Sequence, residues 1–309
     1  MTNNTFPMLS LDGGGSRGAF TLGALVEIEA LLGRPSTEVF KLMYGTSTGA
    51  IIAAYLATGH SAQQTFEKYL EFIPEVMSQG FARGRTRALT RVMKREFSDL
   101  SFKDCKPMLA IVATRCDHRR PLIFKSSHEL AQGRAASFTP GFGVPLWKCL
   151  MASSAAAPFF SRCKLVLNDG DEIEAMDGGF VANNPTMFTL IDAEQALGIS
   201  RQRLRLCSIG TGDFPLKKRW WHPIKSTWPI ALLESTLESS SNTVDILRKL
   251  MFQDVETVRI NGIFRDTALA TDLLESDPKM LRKLFALGRE SYATQEHATA
   301  RLLGVSHEG

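Results

Sequence analysis

Phe40-Lys41-Leu42-Met43-Tyr44-Gly45-Thr46-Ser47-Thr48-Gly49-Ala50 is the stretch that decides the fold. Phe40–Tyr44 reads as a short apolar strand, and Ala50–Gly59 as a helix of small and aliphatic residues. Between them a serine stands flanked by glycines, the pattern of a tight strand-to-helix turn that lifts a hydroxyl clear of the backbone. The second glycine is expected where a side chain would collide with the helix that follows. Two further segments extend the pattern. Asp12-Gly13-Gly14-Gly15-Ser16-Arg17-Gly18 follows the apolar run Pro7–Leu11, and Asp177-Gly178-Gly179 lies far downstream. A nucleophilic hydroxyl, a nest of unobstructed amides and a carboxylate base are the parts of a serine hydrolase.

Outward from the turn, apolar runs and helical repeats alternate. Ala19–Leu32 and Ser61–Val76 carry helical spacing, and Pro107–Thr114 and Leu122–Lys125 read as strands. Leu146–Ala157 reads as a helix stopped by Pro158. Lys164–Leu167 and Glu172–Ala175 are the arms of a hairpin about Asn168-Asp169-Gly170-Asp171. Pro185–Gln195 is helical again, and Arg205–Ile209 is a strand entering Gly210-Thr211-Gly212. Dense apolar strands alternating with helices predict an α/β protein, a three-layer α/β/α sandwich with a mostly parallel central sheet. A chain of 309 residues is expected to form a single domain, 1–309. Residues 61–97 are expected as a cap or lid insertion. Residues 213–309 are expected as a mostly helical C-terminal extension, with long helices at Pro229–Met251 and Pro278–Leu302.

Hydrophobic residues at 44% and charged residues at 22% suit a soluble enzyme with a full core. No stretch reaches the roughly 18 apolar residues needed to cross a bilayer. Met1–Phe6 is polar and lacks the basic and apolar regions of a secretory signal. A cytoplasmic protein is expected, with peripheral contact at the inner membrane left open. Cys105, Cys116, Cys149, Cys163 and Cys207 form no close pair and read as buried, reduced thiols. A net charge of +4 gives no ground for a DNA or RNA partner. Arg83, Arg85, Arg87, Arg91, Lys94 and Arg95 crowd one segment, either as the solvated face of a helix or as a surface for anionic lipid or another phosphate ligand.

The sequence has six histidines, none in a setting as suggestive as that of Asp177. A Ser47–Asp177 pair is chemically reasonable, although an ordinary aspartate is a weak base that partial desolvation must strengthen. Gly13, Gly14 and Gly15 can present amides to a developing oxyanion, where one lost donor typically costs about 3 kcal/mol. Considered alone the glycine run has a phosphate-binding alternative, but it lacks both the Lys-Ser/Thr ending of a Walker loop and dinucleotide spacing. Arg17 is expected to tie loop carbonyls together, with Gly18 completing the turn. Asn168–Asp171 is too short to enclose an ion, and the chemistry calls for no metal and no cofactor. Ser153 and Ser154 read as residues that hydrogen-bond back to carbonyls or permit close packing, and Asn183 and Asn184 as braces of the turn after Asp177. Phe159 and Phe160 suit an acyl pocket or the core, while Trp220, Trp221 and Trp228 suit core, interface or a lipid-seeking surface.

Assembled, these pieces resemble the patatin-like phospholipase family. DGGGSRG (Asp12–Gly18), GTSTG (Gly45–Gly49), ASSAAAPFF (Ala152–Phe160), DGG (Asp177–Gly179) with NNP (Asn183–Pro185), and SIGTG (Ser208–Gly212) run in the family's order over roughly two thirds of the chain. The resemblance implies a Ser–Asp dyad hydrolysing acyl esters of membrane phospholipids, with Ser47 as nucleophile, Asp177 as base and Gly13–Gly15 in the oxyanion loop. The chain is also similar to short bacterial members that act as antiphage effectors, in which a cyclic di- or trinucleotide switches the lipase on. No nucleotide-binding signature is visible. Arg201, Arg203, Arg205, Lys217, Lys218 and Arg219 are either phosphate contacts or a solvated edge. Transient contact with a membrane surface and a homo-oligomer stay open. The rival readings are a constitutive lipase or esterase and a non-catalytic lipid-binding scaffold.

Overall fold

Apolar runs punctuated by glycine turns and capped helices give the following order in the computed structural model, which describes residues 5–131, 138–215 and 228–305, the side chains of 228–230 excepted. β1 (Phe6–Leu11), α1 (Gly18–Leu32), β2 (Leu42–Thr46) and α2 (Thr48–Ala57) come first. The helical pair α3 (Ala62–Met77) and α4 (Ala82–Phe97) precedes β3 (Met108–Arg115) and β4 (Arg120–Lys125). Then follow α5 (Leu146–Ser153), β5 (Cys163–Val166), β6 (Glu172–Asp177), α6 (Gly179–Ala182), α7 (Thr186–Ile191) and β7 (Leu204–Ile209). The chain closes with α8 (Trp228–Met251), β8 (Glu256–Ile260), α9 (Pro278–Ala293) and α10 (Glu296–Leu303).

One sheet runs β5-β6-β3-β2-β1-β7-β8, with β4 also paired to β3. β3, β2, β1, β7 and β8 are mutually parallel, whereas β4, β6 and β5 attach in antiparallel fashion. Alternation along the central strands divides the core in two. Leu9, Leu11, Met43, Leu109 and Ile111 pack on one side with residues of α1, α2, α3 and α5. Met8, Leu42, Tyr44, Ala110 and Val112 pack on the other with Leu190 of α7 and Phe252. The result is the expected α/β/α sandwich with a mostly parallel sheet.

Several boundaries depart from the sequence reading. β2 begins later than Phe40 and runs up to Thr46, so the strand delivers Ser47 directly. α5 ends at Ser153 rather than Ala157, and the 154–157 segment instead lends the Ala155 carbonyl to the Asp177 amide at 3.1 Å. The helix expected over 278–302 breaks between α9 and α10. The C-terminal third, expected as mostly helical, also supplies β8, a full sheet strand paired in parallel with β7. Its Glu-Thr-Val-Arg-Ile alternation belongs to a half-buried edge strand.

α3 starts with a capping box between Ser61 and Gln64 and buries Phe66, Tyr69, Phe72, Ile73 and Val76 along one face. α4 buries Ala88, Leu89, Val92, Met93 and Phe97, leaving Arg83, Arg87, Arg91, Lys94 and Arg95 exposed, while half-buried Arg85 donates to the Phe159 carbonyl at 3.4 Å. Some of those cations are already matched. Arg91 and Arg95 reach Glu75 at 3.4 and 3.8 Å, and Lys94 stands 4.9 Å from the centre of the Trp147 ring. All five cysteines are free; only Cys149 and Cys207 are fully buried, and Cys105, Cys116 and Cys163 are partly exposed.

Candidate active site

Ser47 occupies the one residue between β2 and α2, with φ 54° and ψ −121°. A positive φ is strained for a side chain with a Cβ, and such strain clusters where geometry serves function. Glycines on either side make the sharp turn possible, though not as the sequence suggested. A Cβ on Gly45 would overlap the start of α2, whereas one on Gly49 would overlap the carbonyls of Leu11 and Asp12 at the end of β1. The second glycine therefore admits the neighbouring strand rather than its own helix. The Ser47 amide donates to Ser153 Oγ at 2.8 Å, and that hydroxyl donates to the Val112 carbonyl at 2.6 Å. Ser153, read from sequence as bonding back to a carbonyl or permitting close packing, bridges the turn to β3.

Asp177 reaches Ser47 by strand topology. β4 takes one edge of β3 across 110–115, and β2 takes the other across 108–112. β6 pairs with 113–115 in the opposite direction, continuing along β3 where β2 stops. The two strand ends meet head to head, and Ser47 Oγ donates to Asp177 Oδ2 at 2.6 Å. Oδ1 accepts from the Gly179 amide at 2.7 Å, and the Thr114 hydroxyl donates to the Asp177 carbonyl at 2.8 Å. Burial pushes the Asp177 carboxyl up to about 6, against the pull of its hydrogen bonds from Ser47 and Gly179. A carboxylate so placed is a much better base than a solvated one.

The glycine loop is positioned from several directions. The Gly13 amide donates to the Asn183 carbonyl at 3.0 Å, so this expected oxyanion donor is already committed. Gly14 and Gly15 line the cleft beside Ser47, and among the described residues their amides carry no hydrogen bond to protein. Tyr69 on α3 donates to the Gly15 carbonyl at 2.5 Å and lies 2.8 Å from Thr48 Oγ1. Gly18 opens α1 where a Cβ would press on both hydroxyls. Arg17 does not tie loop carbonyls together. It is buried, and its Nη1 reaches Glu238 of α8 at 3.0 Å. Asn183 does more than brace its own turn, donating to both the Gly13 carbonyl and Ser241 Oγ of α8.

Above these groups opens a narrow, mostly apolar cleft. Ile51, Phe72, Val76, Phe159, Phe160 and Leu237 are among its walls, and among the described residues Asp177 is the only charged one lining it. An apolar lining of this kind is chemically suited to a hydrocarbon chain. Phe180, 40% exposed, stands at the opening. Other expectations fare differently. Arg201 is paired with Glu194 and Asp254, and Arg205 with Glu256, so two of the suggested phosphate contacts are neutralised internally. Trp220, Trp221, Lys217, Lys218, Arg219 and the Trp228 side chain lie outside the described residues. Tyr69, Glu238 and Ser241 were not legible as site residues, because each acts through a partner far away in sequence.

A three-layer sheet fold carrying a serine and a buried carboxylate at the foot of an apolar cleft defines an acyl hydrolase suited to lipid. Residues 9–190 match the family model described as patatin-like phospholipase. The chain belongs to the patatin-like phospholipase family, and it is a hydrolase. It is 43% identical over 296 residues to a "cUMP-AMP-activated phospholipase" of Escherichia coli, covering 95% of this chain and 92% of that one. It is 30% identical over 318 residues to a "cGAMP-activated phospholipase" of Pseudomonas aeruginosa, covering 97% and 90%. No helix among the described residues is long and apolar enough to cross a membrane.

Proposed function

We propose that this protein cleaves fatty-acyl esters of membrane phospholipids through a Ser47–Asp177 dyad, and that a cyclic dinucleotide activates it. The observation that carries the catalytic reading is the 2.6 Å hydrogen bond from the Ser47 hydroxyl to a buried carboxylate of raised pKa. Asp177 takes the proton as Ser47 Oγ attacks the acyl carbonyl. The amides of Gly14 and Gly15 hold the oxyanion, and the lysophospholipid leaves with the proton returned by Asp177. Water then gives a proton to the same carboxylate and attacks the acyl-serine, and Asp177 passes that proton to Ser47 Oγ as the acyl–oxygen bond breaks and the fatty acid leaves. Activation by a nucleotide is supported by identity to the E. coli relative over nearly the full length of both chains. Contact with the lipid surface is supported by Phe180 at the cleft mouth and by Leu232, 51% exposed, beside the cleft residue Leu233.

Mass spectrometry of a bacterial lipid extract treated with wild type, Ser47→Ala or Asp177→Asn tests the reading, each with and without cyclic UMP–AMP or cGAMP. Nucleotide-dependent release of fatty acid and lysolipid by wild type alone is expected. Equal release without nucleotide removes the activator. Release that survives in Ser47→Ala removes the dyad.

A further inference from the structure

α8 buries polar groups beside its apolar ones. Leu233 and Leu237 pack with Leu273 and line the cleft, while Leu232, Ile246, Leu247 and Leu250 are exposed. Glu234, Glu238 and Ser241 follow at i, i+4 and i+7 and share one stripe. Glu234 and Ser241 are buried and Glu238 is half-buried. Among the described residues Glu234 Oε2 has no hydrogen-bond partner, and Arg17 Nε is buried without one as well. Polar burial of this kind opposes folding, so apolar packing alone does not account for the stripe.

The contacts made by the stripe do explain it. Glu234 Oε1 accepts from the Leu273 amide at 2.8 Å. The carbonyl of the same residue accepts from both the amide and the hydroxyl of Ser16 at 3.1 Å, and it fills the space where a Gly15 side chain would stand. One turn further along, Glu238 holds Arg17. A turn beyond that, Ser241 accepts from Asn183, which also donates to the Gly13 carbonyl. Three successive turns of α8 thus reach Gly13, the Gly15–Ser16 step and Arg17. None of the bonds that fix the dyad, from Ser153, Thr114 and Gly179, involves α8.

We propose that Glu234 and Glu238 are positioning residues, through which α8 holds the Gly14 and Gly15 amides in register with Ser47. The inference rests on the dyad reading above. Seating α8 completes the oxyanion site; unseating it spoils the donors and leaves nucleophile and base in place. Loss of the strut therefore lowers kcat with little change in KM, and the pH at which Asp177 titrates stays where it was.

The test measures kcat, KM and the pH profile on a short-chain p-nitrophenyl ester in the presence of cyclic UMP–AMP. Glu234→Ala, Glu238→Ala and their Gln counterparts are compared with wild type and Ser47→Ala. Each alanine variant is expected to lose about 30-fold in kcat, somewhat less than removal of a whole oxyanion donor, with KM within about 2-fold. Glutamine keeps a hydrogen-bond acceptor, so Glu234→Gln and Glu238→Gln should recover to within about 5-fold of wild type. Ser241→Ala, a milder change, serves if an alanine variant fails to fold, with an expected loss of about 3-fold at unchanged KM. Folded variants that keep wild-type kcat overturn the strut, as does a loss that tracks melting temperature and is not restored by glutamine. An active Ser47→Ala overturns the dyad instead, so the two failures are told apart.

Discussion

Ser47 and Asp177 are held where two strands meet a third, whereas the glycine loop beside them is held by main-chain and side-chain contacts from several separate elements. Ser47 and Asp177 sit where β2 and β6 end against one edge of β3, locked by backbone pairing and by Ser153 and Thr114. The loop instead depends on Tyr69 from α3, on Asn183, and on Glu234 and Glu238 from α8. In the proposed mechanism, proton transfer thus belongs to the central sheet, while oxyanion stabilisation depends on elements that pack outside it.

The largest effect should come from breaking the strand-held half. Asp177→Asn is expected to lower kcat by about 10³-fold or more, since no base remains to take the seryl proton. The same change should stabilise the protein at neutral pH. The folded-state pKa of about 6 lies above the ordinary 3.8, so the stability linked to this group is complete below pH 3.8 and is lost as pH rises through 6. Removing the ionisable carboxyl avoids that loss, which is of order 2–3 kcal/mol, and thermal melts at pH 7.5 should show a gain of a few degrees. A fall in melting temperature would mean that the carboxylate stabilises the fold.

Gly15→Ala attacks the other half. Its φ of 54° and the Leu273 carbonyl leave no room for a methyl group, so the loop must move. Steady-state kinetics should show kcat down by about 100-fold, as when an oxyanion donor is lost. Between these extremes, kcat/KM should climb about tenfold per pH unit below 6 and level off above it, following ionisation of Asp177. A profile flat from pH 5 to 8 would exclude that carboxylate as the base. A smaller effect is expected from Tyr69→Phe, which removes the hydrogen bond to the Gly15 carbonyl and the contact with Thr48 Oγ1. It should cost about 1 kcal/mol, roughly 5-fold in kcat, with the pH profile unmoved.

How much of this can be read from sequence follows the same division. The Ser47 turn and the glycine loop announce themselves because glycines constrain the chain where they stand. That Asp177 meets Ser47 depends on β6 joining β3 beyond the end of β2, a pairing that a local pattern does not encode. The three loop glycines look equivalent in the sequence. Only the fold shows that Asn183, 170 residues away, takes the Gly13 amide out of use. Arg17 has its partner 221 residues downstream. Glu234 and Glu238 look like solvent-facing positions because acids on a helix normally are, and their partners Leu273 and Arg17 stand far away in sequence. β8 was lost for a related reason, its alternating Glu-Thr-Val-Arg-Ile being too short and polar to stand out between long helices.

Because β2 and β6 run toward each other along a common rail, any shear or twist of the sheet carries serine oxygen and carboxylate in the same direction. Warming that loosens the outer helices is then expected to leave the spacing of the pair unchanged. Hydrogen exchange should find the amides of Ala113 to Arg115 among the last to open.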